Sequence, residues 1–501
     1  MTHPSLGSEG LRVREVDLDP SQEGVSIVET HVSRLVFRGD RVHKRKKAVR
    51  FEFVDLSTAE RRERMCRREV ALNSRLSPDV YLGVEDVIDD TGQVVDHAVL
   101  MVRMPDRRRL AELVRSGRDV SELIDRIARV MATFHASANR SAEISSVATP
   151  NALHQLWELS LSDLAHFVPR VLDPSVFRVV DELAHKYIAG RAPLLAERIA
   201  SGRIVDGHGD LLADDIFCLV DGPRILDCLE FDDRLRWGDT LLDVAFLAMD
   251  LERLRHLELA LDFLSRYRRY AGDSYPLSLQ HHYIAYRSLV RAKVSCLKKT
   301  ASDEREAVTY FNQCIDHLQR AAIHLVVVGG LPGTGKSTLA GAIGERTGWR
   351  VLRSDAVRKE LAGMHPDEHR PSSFGNGLYD PAVTGAVYDE LMHRAETSLE
   401  HGESVVLDAS FSDEARRRLG RGLASRTSSR LTELQCAVPA AVADARLDER
   451  AARGDDASDA TSSMSTEFAA SFDDWPQALL IDTLPAIGEV VDTALGRIRS
   501  A

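Results

Sequence analysis

The sequence predicts two domains of different fold class, an α+β module followed by an α/β module built on a parallel sheet. Its 501 residues exceed what one hydrophobic core normally serves, and about 150 residues per domain suggests two to four units. Strand patterns dominate residues 26–105, and helical patterns dominate most of the chain from about 108 to 322. From there strands and helices alternate to the end, which is typical of a parallel sheet covered by helices.

Composition and charge restrict the classes of function. Hydrophobic residues make up 44% of the chain and charged residues 28%, and no run of about 18 apolar residues predicts a membrane span. The net charge is −12, and residues 323–501 carry 19 Lys and Arg against 27 Asp and Glu. Neither half therefore has the basic excess expected of a protein that binds long nucleic acid.

The cysteines and the N-terminus predict a cytoplasmic protein. Six cysteines are scattered without a C-x-x-C pair, which argues against zinc and against a disulfide framework. Residues 1–25 lack the basic start and apolar stretch of a signal peptide and are expected to form a flexible leader.

The first module is expected to have two lobes, about 26–106 and about 107–322. In the first lobe Gly39-Asp40 separates two β-rich runs, which predicts a hairpin. A helix follows from Ser57 or Thr58, and "HAVLMVRMPD" reads as a buried strand. In the second lobe "VSELIDRIARVMATFHA" places its apolar residues on one helical face.

A glycine-rich loop opens the second module, which is expected to span 323–501. The run "GGLPGTGKST" follows an apolar strand and precedes a helical pattern. Glycines let backbone N–H groups converge on phosphate oxygens, and the helix adds its positive N-terminal end. A lysine then meets the β- and γ-phosphates and a serine hydroxyl meets Mg²⁺. This pattern predicts a site for ATP and Mg²⁺ formed by Gly330, Leu331, Pro332, Gly333, Thr334, Gly335, Lys336, Ser337 and Thr338.

Two further segments suggest what happens to the bound phosphate. "LRSDAVRKEL" places Asp355 at the end of the next strand, one helical turn before Arg358, and "SVVLDAS" places Asp408 at another strand end. This order resembles small P-loop kinases of the polynucleotide-kinase, gluconate-kinase and zeta-toxin kind. The resemblance implies that Asp355 takes the proton of the acceptor hydroxyl, that Arg358 steadies an anionic acceptor, and that Asp408 serves the metal. An N-cap role for Asp355 and a structural role for Asp408 are the alternatives.

The segment "ARLDERAARGDDASDAT" resembles the lid of these kinases. The resemblance implies that Arg446, Arg450 and Arg453 close on the transferring phosphate, while a solvated helix face is the alternative. Gly375, Asn376, Gly377 and Tyr379 suggest a mobile loop near the acceptor, with an ordinary surface loop equally open.

An acidic stretch in the first module carries a second resemblance. In "VDGHGDLLADDIFCLVDGPRILDCLEFDD" Asp210 is followed by Asp215 and, after a short strand, by Asp227. With the later Gly238-Asp239 and Asp243, this order resembles the aminoglycoside-phosphotransferase and choline-kinase superfamily, which has a bilobal fold like that of protein kinases. The resemblance implies that Asp210 orients and deprotonates an acceptor hydroxyl, and that Asp215 and Asp227 hold Mg²⁺.

The resemblance extends upstream to Lys44 and Glu69. Lys44 lies where the family's ATP-binding lysine does, with Glu69 on the following helix as its ion-pair partner. Lys46 is a rival because it shares the same strand face. His208 is expected to be structural, and Asp243 is expected to accept N–H bonds from the His-Gly-Asp loop.

Two departures from the family pattern leave open the alternative that the first module is a catalytically inactive scaffold. Asp215 replaces the family's asparagine, which keeps a hard oxygen ligand but adds negative charge. The chain also lacks a protein-kinase-type glycine-rich loop.

Together these patterns predict an ATP- and Mg²⁺-dependent phosphotransferase with two sites. The expected acceptors are hydroxyls of small polar metabolites, of the sugar or amino-sugar class. One alternative is a polynucleotide 5′-hydroxyl kinase acting through the P-loop module. Another is that one module senses ATP without catalysis and regulates the other. The sequence specifies neither acceptor nor oligomeric state.

Overall fold

The computed structural model describes residues 11–51, 54–298, 300–364, 380–453 and 470–500. The chain forms two compact units, which are described separately. The first comprises residues 1–152, 198–275 and 283–314, and the second comprises 153–197, 276–282 and 315–501. Within the described ranges, none of the helices has the length and apolar character required to cross a bilayer.

The first unit opens with a six-stranded sheet in the order β1-β7-β8-β4-β3-β2. The hairpin expected at Gly39-Asp40 is confirmed, because it joins antiparallel β3 and β4. A two-stranded ribbon, β5 and β6, leads into helix α1, whose N-cap Thr58 accepts a bond from the N–H of Arg61. The bounds are β1 Arg12–Arg14, β2 Val25–Glu29, β3 Ser33–Arg38, β4 Arg41–Lys46, β5 Arg50–Phe51, β6 Val54–Asp55, α1 Ala59–Asn73, β7 Tyr81–Ile88 and β8 Val94–Val102.

The prediction that residues 1–25 form a flexible leader is wrong for the part that the structure describes, residues 11–25. Strand β1 pairs in parallel with β7, and Val13 and Leu18 are buried beside Val36 and Val87. A three-residue strand carries too little alternation to be recognised, so its pairing becomes visible only in three dimensions.

Helices dominate the rest of the first unit. On α3 the buried face includes Ile124, Ile127, Met131 and Phe134, as the spacing predicts. Short strands β9 to β12 carry the acidic stretch between the helices. The bounds are α2 Leu110–Arg115, α3 Ser121–Ser137, α4 Ala142–Ser146, β9 Ile204–Asp206, β10 Ile216–Leu219, β11 Gly222–Ile225, α8 Asp233–Arg236, β12 Trp237–Asp239, α9 Thr240–Arg253 and α10 Leu257–Ala271.

The second unit is built on a five-stranded sheet in the order β14-β15-β13-β16-β17. All its pairings are parallel, which confirms the predicted α/β class. Its strands and the helices α13 and α18 enclose one apolar core. The bounds are β13 His324–Gly329, α13 Lys336–Thr347, β14 Arg350–Arg353, α14 Ser354–Leu361, α15 Pro381–Glu400, β15 Val405–Asp408, α16 Glu414–Arg426, β16 Arg430–Ala437, α17 Ala440–Arg453, β17 Leu479–Asp482 and α18 Ile487–Ser500.

The second unit also contains helices far upstream of the boundary expected at residue 322. Helix α6 Pro174–Ala189 lies wholly in this unit. The helices α5 Pro150–Ala165, α7 Ala192–Ala200, α11 Leu277–Lys298 and α12 Ala301–Ala321 have residues in both units. A Cβ on Gly190 would lie 2.0 Å from the carbonyl oxygen of Thr427. The fully buried Arg191 donates to the carbonyl of Leu399. These contacts join residues more than 200 positions apart, so a change of local pattern could not reveal them.

Candidate active sites

Lys44 lies at the centre of an ionic cluster in the first unit. Strand β4 presents its ammonium group to Glu69 on α1 at 2.7 Å and to Asp227 at 2.6 Å. Burial acts to lower the pKa of Lys44, but Asp227 and Glu69 outweigh it and hold that pKa well above its usual value. Lys44 in turn lowers the pKa of Asp227. The expected Lys44–Glu69 ion pair is therefore present, and a positive charge is fixed beside a half-exposed carboxylate.

Lys46, the rival lysine, contacts the same glutamate from the other side. Its ammonium lies 2.6 Å from Glu69 and 2.5 Å from Glu230, and only 1% of its side chain is exposed. Lys44 instead reaches Asp227, whose side chain is 49% exposed. Lys46 thus belongs to the interior of the cluster, whereas Lys44 meets the carboxylate that is open to solvent.

Asp227 adopts a conformation that few non-glycine residues adopt. Its φ of 63° lies in the left-handed region. Its N–H donates to the Tyr81 hydroxyl at 3.3 Å, and the next N–H, of Cys228, donates to the Asn73 side chain at 2.8 Å. Such positions persist only where the surroundings hold them, and they concentrate at functional sites.

Asp243 holds the His-Gly-Asp loop, as expected. Its carboxylate accepts the N–H groups of His208 at 2.7 Å and Gly209 at 2.8 Å, and lies 3.0 Å from Nε2 of His135. Although burial acts to raise it, these bonds keep the pKa of Asp243 below its usual range. The expectation that His208 is structural also agrees with its contacts, because it is buried and its Nε2 lies 3.1 Å from the carbonyl of Leu226.

The His-Gly-Asp loop places Asp210 near two other carboxylates, those of Asp215 and Asp227, with which it interacts electrostatically. Burial raises the pKa of Asp210 to about 6, opposed by Arg291 and reinforced by Asp227. Burial and the negative charges of Asp227 and Asp210 raise the pKa of Asp215 well above its usual value. Repulsion of this kind is relieved by a divalent cation with oxygen ligands, so Asp215 and Asp227 fit a Mg²⁺ site.

Two arginines on α11, Arg287 and Arg291, lie near enough to Asp210 to lower the pKa of its carboxyl. Nε of Arg287 donates to the carbonyl of Leu242 at 3.0 Å, and its guanidinium lies over the Phe246 ring at 4.4 Å. Nε of Arg291 is buried without a hydrogen-bond partner. In the described part of the chain neither arginine has a carboxylate within 4.0 Å. Positive charge therefore faces Asp210 from this helix.

The P-loop of the second unit requires its glycines. It connects β13 to α13, with φ of 141° at Gly330, 77° at Gly333 and 81° at Gly335. A Cβ on Gly333 would lie 2.4 Å from the carbonyl oxygen of Ala443, and one on Gly330 would lie 2.6 Å from that of Cys436. Backbone packed this closely leaves N–H groups at the start of α13 for an anion.

Asp408 ends strand β15 beside the P-loop. Burial raises the pKa of Asp408, and the nearby Lys336 and Ser337 partly offset this rise. One oxygen, Oδ2, accepts a bond from Nε of Arg353 at 3.3 Å. The other, Oδ1, is buried without a hydrogen-bond partner among the described residues. A buried carboxylate beside the Ser337 hydroxyl fits Mg²⁺, which prefers oxygen ligands.

Arg446 lies over the P-loop and is tied there by Thr483. Its Nη1 and Nη2 donate to the hydroxyl and the carbonyl of Thr483 at 3.2 and 2.9 Å. The same hydroxyl donates to the carbonyl of Thr334 at 2.7 Å. Arg446 is therefore not part of a free solvated face. Arg450 and Arg453 belong to α17, but their side chains lie outside the described residues, as do residues 454–461 of the expected lid.

Asp355 and Arg358 occupy the first turns of α14. The N-cap position belongs to Arg353, so the alternative reading of Asp355 as N-cap is wrong. Arg358 is buried, with Nε 3.9 Å from Asp355 and Nη1 donating to the Thr384 hydroxyl at 3.3 Å. The acceptor loop expected at Gly375, Asn376, Gly377 and Tyr379 lies outside the described residues.

Comparisons with known proteins identify relatives across most of the chain. The family model of the AAA domain matches residues 325–474. The Mycobacterium tuberculosis protein Rv2004c, which is itself named only as uncharacterized, is 42% identical over 463 residues and 92% of each chain is covered. This chain belongs to the family of that mycobacterial protein. The same identity and coverage hold for the Mycobacterium bovis protein Mb2027c.

Solved structures with lower identity resemble separate parts of this family member. A choline/ethanolamine kinase family protein from Mesorhizobium loti is 15% identical, with 59% of this chain and 92% of that chain covered and a TM-score of 0.39. A gluconokinase from Sinorhizobium meliloti is 20% identical, with 36% of this chain and 92% of that chain covered and a TM-score of 0.25.

Several residues of the two sites were missed by the sequence analysis. Glu230 follows Asp227 closely and Thr483 directly follows the parallel strand β17, so both had positional signals. Arg287 and Arg291 are spaced four residues apart on one helix, which places them on one face. Arg353 pairs in register with Asp408 across neighbouring strands, and only the sheet order reveals that relation.

Proposed function

We propose that the first unit is a kinase that transfers the γ-phosphate of ATP to a hydroxyl of a small polar metabolite. The observation that carries this proposal is the contact of Lys44 with both Glu69 and the half-exposed Asp227, within the same charge cluster as Asp210. A fixed cation beside carboxylates suited to Mg²⁺ is what ATP phosphates require.

Each residue of this cluster would have a separate task. Asp210 would orient the acceptor hydroxyl and take its proton, and the raised pKa of about 6 suits a base working near neutrality. Lys44 would neutralise phosphate oxygens while Glu69 fixes its position. Asp215 and Asp227 would hold Mg²⁺, which supplies charge neutralisation when bound.

The charge around Asp210 bears on the class of acceptor. Within the expected sugar and amino-sugar class, the positive groups of Arg287 and Arg291 favour acceptors without an ammonium group. Like charges disfavour each other in a partly buried site. We therefore rank neutral and acidic sugars before amino sugars for this unit.

The second unit is proposed to be a further ATP-dependent kinase site. Lys336 and the P-loop amides would bind the phosphates, while Ser337 and Asp408 would hold Mg²⁺. Arg446 would stabilise charge on the transferring group, and Asp355 would accept the proton of a hydroxyl that Arg358 helps to place. The protein would work in the cytoplasm, where ATP is supplied.

Two alternatives stay open. Arg358, buried beside Asp355, also suits a 5′-phosphate or an oligonucleotide end, although the acidic balance of residues 323–501 opposes long nucleic acid. The raised pKa of Asp215 suits a unit that binds nucleotide weakly with Mg²⁺ and acts as a sensor.

The test is phosphate transfer from γ-labelled ATP by the full chain to a library of metabolites and a short 5′-hydroxyl oligonucleotide. We expect Asp210→Asn and Lys336→Ala each to abolish a different product, by about 10³-fold. Asp214→Asn and Arg346→Ala are matched controls that should change neither. A double variant with full ATP turnover would contradict both proposed sites, and loss confined to one variant would favour the sensor.

A further inference from the structure

A cluster of two histidines and a glutamate joins helices α5 and α6 of the second unit. His154 and Glu158 lie one turn apart on α5, and His185 lies on α6. One ligand atom from each falls within 4.8 Å of the others. Oε1 of Glu158 is 3.8 Å from Nε2 of His154 and 3.5 Å from Nε2 of His185. The two sites described above do not use these residues.

These separations are close to those of zinc ligands. With Zn–N and Zn–O distances near 2.1 Å, two ligands at a tetrahedral angle lie about 3.4 Å apart. The Glu158 oxygen therefore already sits near the required separation from both imidazoles. A direct hydrogen bond would need a shorter distance, of about 2.7–3.2 Å.

A fourth residue orients one of the histidines. Nδ1 of His185 lies 2.8 Å from Asp181, one turn earlier on α6. This pairing places the imidazole proton on Nδ1 and leaves the lone pair of Nε2 directed to the cluster, as carboxylate partners do for metal-ligating histidines. Nε2 of His185 is buried and, among the described residues, has no hydrogen-bond partner. An oriented, unpaired lone pair is an observation independent of the distances.

We propose that His154, Glu158 and His185 bind one Zn²⁺ ion, with Asp181 positioning His185. Two imidazoles and one carboxylate suit Zn²⁺ better than Mg²⁺ or Ca²⁺, which take oxygen ligands. Half of the His154 and Glu158 side-chain surface is exposed, so a fourth position is open to water. The ion would be bound by ligands from both α5 and α6 and would stabilise their packing in the unit that carries the P-loop.

The experiment is zinc retention by the full chain, measured by elemental analysis after gel filtration and by competition with a chromophoric chelator. We expect one retained Zn²⁺ per chain, lost in His154→Ala and in His185→Ala. Asp181→Asn should weaken binding about 10–100-fold. Glu182→Gln, an exposed acid on the same helix, is the matched control and should bind as the parent does.

Two further measurements separate a metal site from a simple contact between the His154 and His185 rings, whose centroids lie 4.1 Å apart. Zinc should raise the melting temperature of the parent and of Glu182→Gln but not of His185→Ala, because only the folded parent binds it. Cobalt in place of zinc should give the visible absorption of four-coordinate Co²⁺. Retention unchanged in a His154→Ala/His185→Ala double variant, or no chelator competition by the parent, would overturn the proposal. Kinase activity does not enter the test.

Discussion

The two candidate active sites are assembled in opposite ways. In the P-loop unit the proposed phosphate cradle is formed by nine consecutive residues, Gly330 to Thr338, and its conformation depends on Gly330, Gly333 and Gly335. In the other unit the groups proposed to meet ATP and acceptor are spread along the sequence from Lys44 to Arg291, on strands, helices and loops. A contiguous site depends on backbone shape, whereas a dispersed site depends on charges that hold one another in place.

The dispersed site therefore depends on its interior ion pairs for position. Glu69 is shared by Lys44 at 2.7 Å and Lys46 at 2.6 Å, and Glu230 holds Lys46 from the opposite side. Removing one member of a buried pair leaves an uncompensated charge, which typically costs about 3–5 kcal/mol. Function and stability are coupled here, and substitutions at the two lysines can separate them.

Among the variants that test this coupling, the largest effect is expected on ATP use by Lys44→Met. Because Lys44 alone of the two lysines contacts Asp227, this variant should lower kcat/KM for ATP by more than about 10²-fold in the first unit. Lys46→Met should instead lower the free energy of unfolding by about 3 kcal/mol and leave KM for ATP near that of the parent. Steady-state kinetics in a Lys336→Ala background and urea unfolding measure both quantities.

The reverse pattern would exchange the roles of the two lysines. If Lys46→Met lost ATP affinity while Lys44→Met kept it, the rival reading of the strand would be correct. Arg45→Met is a suitable control because Arg45 lies between them on β4 and its side chain pairs with Glu15 and Asp96 instead.

An intermediate effect is expected at Gly333 of the contiguous site. An added Cβ would meet the Ala443 carbonyl oxygen at 2.4 Å and the φ of 77° is unfavourable for alanine, so Gly333→Ala should cost about 3 kcal/mol. Gly341→Ala is the matched control, since a Cβ on this glycine of α13 has open space. That change should stabilise by up to about 1 kcal/mol. Urea unfolding and a separate measurement of nucleotide binding by the second unit distinguish the two variants. Equal stability and equal binding in both would show that the loop is not close-packed.

The contrast also explains what the sequence could predict. The alternating pattern after residue 322 and the glycine loop specify the parallel sheet and the phosphate cradle, because both signals are local. The Lys44–Glu69 pair and the Asp243 support of His208 were expected only through a family resemblance. The members of these pairs are 25 and 35 residues apart in the sequence. Such separations match neither helix nor strand periodicity, so the contacts could not be predicted from the pattern alone.

What the sequence could not show is mostly long-range packing. Strand β1 is too short to recognise. The upstream helices join the P-loop unit through contacts such as that of Arg191, which lies between α6 and α7, with the carbonyl of Leu399. Glu230 and Arg291 differ from other charged residues only in what they face. The presence of a charged residue in the sequence does not indicate whether its side chain will be solvated or will lie beside a buried carboxylate.

The smallest expected effect concerns the influence of Arg291 on the pKa of Asp210. The proposed base is the deprotonated form of Asp210, and burial raises the pKa of this carboxyl to about 6. The kcat/KM of the first unit should therefore rise with pH through that region. Arg291 opposes the rise in pKa, so Arg291→Gln should move the acidic limb to higher pH. A shift of one unit would lower the rate at pH 7 about twofold. A pH profile of acceptor phosphorylation in the Lys336→Ala background measures it. Arg255→Gln, on the loop after α9, should leave the limb in place, and an unmoved limb in Arg291→Gln would remove this arginine from the surroundings of the base.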